Sequence, residues 1–129
     1  MISFTEKLYP DGTVFYRYPV LNGEKHGEYT KFHSNKKLAE LGVYKNGVQV
    51  DNMMSWYPNG YLQRFASLDN NGNIHGIEIL YHDNGCIKRV SFYVHGDMHG
   101  NVYHYSITKS LYKTERYHYG LNVDHEWIF

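Results

Sequence analysis

Tyr81-His-Asp-Asn-Gly-Cys-Ile-Lys-Arg-Val-Ser-Phe-Tyr-Val-His-Gly-Asp-Met-His-Gly100 holds the pattern on which the fold turns. An Asn84-Gly85 reversal leads into a strand-length run over 87–93 that carries Ile87, Val90, Phe92 and Tyr93, and a second reversal closes at Gly96. Outward from this stretch the closing glycine recurs as Gly23, Gly47, Gly72, Gly96 and Gly120, at intervals of 24, 25, 24 and 24 residues. The same clock carries Leu8, Phe32, Trp56, Tyr81, Tyr105 and Phe129, and half a period away stand Val14, Leu38, Leu62, Ile87 and Leu111. Such fixed-period similarity marks architectures in which each unit buries apolar side chains by stacking on its neighbours.

The unit length limits what each unit can be. Asn-Gly pairs at 22–23, 46–47, 59–60, 71–72 and 84–85, with Asp-Gly at 11–12, separate runs rich in Tyr, Val, Ile, Phe and Leu. These read as hairpin turns in which both residues take positive φ. Two reversals per unit leave roughly five or six residues for each strand, the usual strand length. The chain therefore reads as all-β, a single domain over 1–129 in one antiparallel meander of about five 24-residue units. The units fall at approximately 4–27, 28–51, 52–76, 77–100 and 101–124, with a half unit at 125–129. From Phe4–Tyr9 to His125–Phe129 this makes about eleven strands, including 28–33, 38–44, 53–57, 62–68, 77–82, 87–93, 101–105 and 111–117. Helix has no room inside a unit.

Pleating supports this assignment. Alternate positions collect Thr30, Met54, Ile79, Tyr103 and Trp127, then Phe32, Trp56, Tyr81, Tyr105 and Phe129, while Lys31, Ser55, Leu80 and His104 between them are more polar. The returning strands step by three instead, as in Leu38, Leu41, Tyr44 and in Ile87, Val90, Tyr93. Either a bulge or a sheet apolar on both faces would produce that step.

The recurring string resembles the bacterial and viral variant of the MORN repeat across essentially the whole chain. The match is good in 52–76 and 77–100, weaker in 28–51 and degraded at both ends: Lys36 and Lys109 replace the first-turn glycine, and Val50-Asp51 and Val123-Asp124 replace His-Gly. The resemblance implies an open, elongated, curved single-layer sheet of stacked hairpins. It also implies an interaction scaffold, with links in some members to membrane lipids and an antitoxin-like label in many bacterial relatives.

Composition narrows the function classes. Aromatics make up 17% of the chain, 14 of them Tyr, and amphipathic rings suit a sheet without a second layer. Thirteen basic and 13 acidic residues cancel, so no broad field favours nucleic acid or an anionic membrane. The single cysteine, Cys86, occupies an ordinary repeat position after a turn, and the amino terminus lacks a signal peptide's layout. Cytoplasmic residence is expected, in the host cytoplasm if the protein is viral.

Nine histidines invite a metal reading. His26, His75 and His99 share a slot, but equivalent positions in neighbouring hairpins lie roughly 9–10 Å apart, whereas two ligands of one zinc ion each sit about 2 Å from it. They are expected to satisfy turn backbone or to pack on a neighbour, and His33 and His82 read the same way beside turns. No metal or cofactor is expected. Glu78 with His104 and Asp83 with His82 are the pairs a catalytic reading would invoke, and both read as solvated sheet surface. The chain is therefore read as non-enzymatic, with no catalytic residues; a small hydrolase-like enzyme using a sheet groove is the alternative. Lys36-Lys37 and Lys88-Arg89 are the only basic doublets, thin support for the other alternative, a peripheral membrane lipid-binding scaffold.

What remains is a module that binds a protein partner and blocks or neutralises it, as an antitoxin or a virus-encoded inhibitor would. Trp56, Tyr81, Tyr103, Tyr105 and Trp127 are the expected anchors, because a single-layer sheet leaves its aromatic face uncovered. Edge strands offer a second route, to a partner's strand or to a second copy of the chain.

Overall fold

The computed structural model describes residues 1–124. Thirteen strands occur among them: β1 Ile2–Leu8, β2 Val14–Leu21, β3 Glu24–Lys25, β4 Gly27–Phe32, β5 Leu38–Lys45, β6 Val48–Trp56, β7 Leu62–Leu68, β8 Ile74–Tyr81, β9 Ile87–Val94, β10 Asp97–Met98, β11 Gly100–Tyr105, β12 Leu111–His118 and β13 Leu121–Asn122. All belong to one open antiparallel sheet in which the long strands follow chain order, and no helix occurs among the described residues. The ten long strands match the expected meander. The expected eleventh, 125–129, lies outside the described residues. Three two-residue strands were not expected. Two of them, β3 and β10, arise because a bulge at His26-Gly27 or at His99-Gly100 detaches the first residues after a turn from the strand that follows, and β13 is the last element among the described residues.

Two classes of turn occur. At Asn22-Gly23, Asn46-Gly47, His95-Gly96 and Tyr119-Gly120 both residues have positive φ, the two-residue turn whose twist suits a hairpin. At 9–12, 33–36, 57–60, 69–72, 82–85 and 106–109 the N–H of the fourth residue instead donates to the carbonyl of the first. Only the fourth residue there is left-handed, which corrects the expectation of two positive φ values at 11–12, 59–60, 71–72 and 84–85. Lys36 and Lys109 hold φ of 73° and 72° in that slot, so the turn survives the loss of its glycine at a strain cost. The single 25-residue interval is explained too: residues 69–73 form the longer loop where the other units have a two-residue turn.

Register resolves the three-residue step. Phe32 pairs with Leu38 and Lys31 with Glu40, leaving Ala39 as an extra residue, and the same shift recurs at Trp56, Tyr81 and Tyr105. The bulge keeps Leu38 and Leu41 on one face, after which Tyr44 falls on the other. Both explanations therefore hold together. On the front face a row runs Thr30, Leu41, Met54, Phe65, Ile79, Val90, Tyr103. The back face carries Lys31, Glu40, Ser55, Arg64, Leu80, Arg89, His104 along the same strands.

Burial is shallow, as one layer requires. The residues buried deepest are small ones on the back face, Ala66, Ser91 and Val102, each at most 1% exposed, while Trp56 and Tyr81 are only half-buried.

Candidate interaction surface

Trp56, Tyr81 and Tyr105 end β6, β8 and β11, opposite Leu62, Ile87 and Leu111 across the turn, and Tyr103 stands in the adjoining front-face row opposite Val90 and Thr114. Four of the five expected anchors thus share one face; Trp127 lies outside the described residues. The backbone of Trp56, Tyr81 and Tyr105 is tied down by the preceding hairpin. The His33 Nε2 donates to the Trp56 carbonyl at 2.7 Å, the Tyr57 hydroxyl to that of Tyr81 at 2.6 Å and the His82 Nε2 to that of Tyr105 at 2.9 Å. Tyr9 opens the series with a bond to the Phe32 carbonyl at 2.7 Å. Beside it runs an asparagine ladder, Asn35 to Pro58, Asn59 to Asp83 and Asn84 to Ile107, each amide donating to a carbonyl 23 or 24 residues on. Polar turn residues therefore fix the spacing of the rings, while Leu8, Ile87, Leu111 and Phe92 keep the margin of this face apolar and exposed.

The shared histidine slot behaves as expected. Nδ1 of His26, His75 and His99 accepts the backbone N–H of Asn46, His95 and Tyr119, at 3.3, 3.1 and 3.2 Å. Each ring thereby caps the two-residue turn of the following hairpin, and His75 also stacks on His95 with centroids 4.1 Å apart.

Glu78 corrects the sequence reading. It is buried rather than solvated, and it does not meet His104. Its carboxylate accepts bonds from Arg64 at 2.6 and 2.9 Å, Arg89 at 3.1 Å, and the Ser91 and Tyr93 hydroxyls at 3.3 Å. Burial alone would raise its pKa, but the two guanidinium groups outweigh that and hold it below the ordinary carboxylate range. His104 instead donates to Glu115 at 2.6 Å, which lowers the Glu115 pKa. The other suggested pair separates as well: His82 is spent on Tyr105, and Asp83 offers its carbonyl to Asn59.

The back face also carries an aromatic cluster that the sequence reading missed. Tyr16, Tyr18 and Tyr29 stack with centroids 5.7 to 6.4 Å apart, and Tyr44 leans on Tyr29 at 6.0 Å. The Lys25 ammonium sits over Tyr18, Tyr29 and Tyr44 at 4.8, 5.2 and 4.9 Å, an internal cation–π contact. Burial pushes the Tyr29 pKa up to about 12. The 24-residue comparison hid this cluster because the slots of Tyr18 and Tyr29 become Gly42 and Met53, Ala66 and Glu78, Ser91 and Val102 in later strands. The signal available was the Tyr16, Tyr18 alternation within β2.

The two faces differ in chemistry. Charged groups of the back face are engaged with one another or with aromatic rings, whereas the front face presents half-buried rings beside exposed aliphatic side chains. No helix among the described residues is long and apolar enough to cross a membrane. No protein-family model matches the chain, and no curated protein is significantly similar to it.

Proposed function

We propose that this chain is a non-catalytic, MORN-like interaction protein of the cytoplasm whose open sheet binds a protein partner and acts by covering it, as an antitoxin or an inhibitor does. The observation that carries the reading is the front face: Trp56, Tyr81, Tyr103 and Tyr105 share it with exposed Ile87 and Leu111, and no second layer lies over it among the described residues. The backbone of Trp56, Tyr81 and Tyr105 is pinned by bonds from the preceding hairpin, and aromatic side chains have few rotamers to lose on docking, which suits these residues as anchors. The lipid reading draws less support, since Arg89 is bound to Glu78 and the Lys37 ammonium reaches the Asn59 carbonyl at 3.3 Å. The hydrolase reading fares similarly, since His104 and Glu78 are both committed to partners within the sheet.

The test compares tagged wild type with Tyr103→Ser, both recovered from the native cytoplasm. Tyr103 is the sharper probe because the same slot holds Thr30 elsewhere in the chain. A stoichiometric protein should accompany the wild type and be lost from a variant whose circular dichroism is unchanged. Retention by the folded variant would place the partner on another face, and absence of any stoichiometric protein would refute the reading.

A further inference from the structure

The edge strand β1 has the features of a self-complementary joint. Among the described residues it pairs with β2 alone, so one full side of its backbone ladder is open. Natural edges are usually blunted by charge, proline or a short strand. This one is seven residues long and carries Ile2, Phe4 and Leu8 at 55%, 59% and 48% exposure.

Hydrogen-bond alternation fixes which groups are free. Tyr9 N–H donates to Thr13 across the turn, so, counting back by twos, Lys7, Thr5 and Ser3 address β2 while Leu8, Glu6, Phe4 and Ile2 point their N–H and C=O outward. The side chains of those four outward residues also share the front face.

We propose that a second copy of this chain pairs with β1 about a two-fold axis through Thr5, joining two sheets into one. In that register Ile2 faces Leu8 of the copy and Phe4 faces its Glu6, and each pair exchanges both backbone bonds. Lys7 falls opposite Ser3, so no like charges meet. Centring on Glu6 would set two carboxylates face to face, and centring on Phe4 would bury Glu6 against Ile2 and leave Leu8 without a partner. Charge also fits. The Arg17 guanidinium lies 4.5 Å over the Phe4 ring and 3.9 Å from its own Glu6, and the Glu6 of the copy arrives beside that same ring, so Arg17 serves both carboxylates. The joint shares Leu8 with the margin of the front face but none of the ring anchors, so it does not rest on the partner reading.

At the axis the two Thr5 residues form a non-hydrogen-bonded pair, with Cα atoms about 4.5 Å apart, close enough for a disulfide. Light scattering coupled to gel filtration should give wild type at twice the 15.2 kDa chain mass. Thr5→Lys alone should be monomeric, Thr5→Glu alone likewise, and an equimolar mixture of the two should recover the dimer. Thr5→Cys should cross-link into a dimer on mild oxidation while wild type, which has only Cys86, should not. A wild type that stays monomeric up to its solubility limit overturns the proposal, as does a Thr5→Lys protein that remains dimeric or a Thr5→Cys protein that fails to cross-link.

Discussion

Glu78→Gln tests whether one carboxylate organises the back face. The substitution keeps the shape of a side chain that is 5% exposed and removes its charge, leaving Arg64 and Arg89 without their shared counter-ion. A hydrogen bond to a charged group contributes about 1.5–3 kcal/mol, and Glu78 accepts two such bonds from the Arg64 guanidinium and one from that of Arg89. Both arginines keep 32% and 29% of their side-chain surface in water, which screens the loss, and the glutamine carbonyl still accepts one N–H. The expected cost is about 2–3 kcal/mol, or roughly 6–15 °C in melting temperature for a chain of this size. Urea denaturation at pH 7 measures it. Repetition in acid adds a second check, because the Glu78 pKa lies below its ordinary 4.5. A depressed carboxylate contributes stability that is complete above the unfolded value and is lost as pH falls through the folded one. The gap between wild type and variant should therefore hold from neutrality down to the ordinary value and narrow below it. Midpoints within about 0.5 kcal/mol of each other at pH 7, or a gap unchanged by acid, would refute the reasoning.

Trp56→Ala should cost about 2–3 kcal/mol, less than a fully buried tryptophan, because its ring is only half covered. Leu8→Ala, on the exposed edge strand, should cost less than about 1 kcal/mol, and denaturant midpoints showing equal losses would mean that the column does not share a packed face. Gly27→Ala should be worse than Gly100→Ala by at least about 1 kcal/mol: both glycines have positive φ, but the added methyl would meet Pro19 Cγ at 2.7 Å in the first case and nothing within 4 Å in the second. Thermal melts of the two variants decide that comparison.

The 24-residue clock by itself located the turns, the long strands to within a few residues, the front-face column through Trp56, Tyr81 and Tyr105, and the backbone-bonding role of His26, His75 and His99. It could do so because positions one period apart sit two strands apart in equivalent surroundings, and every side-chain bond of the turn ladders spans 20 to 24 residues. Contacts between adjacent strands are different. Glu78 reaches Arg89, Ser91, Arg64 and Tyr93 at separations of 11, 13, 14 and 15 residues, near half a period, and a comparison of equivalent slots never aligns such residues. Bulges compound the problem, since the extra residue at Ala39 and its counterparts reverses the in-and-out alternation along a strand. The burial of Glu78 and the tyrosine cluster around Lys25 were therefore decided by cross-strand register, which forms only when the hairpins stack.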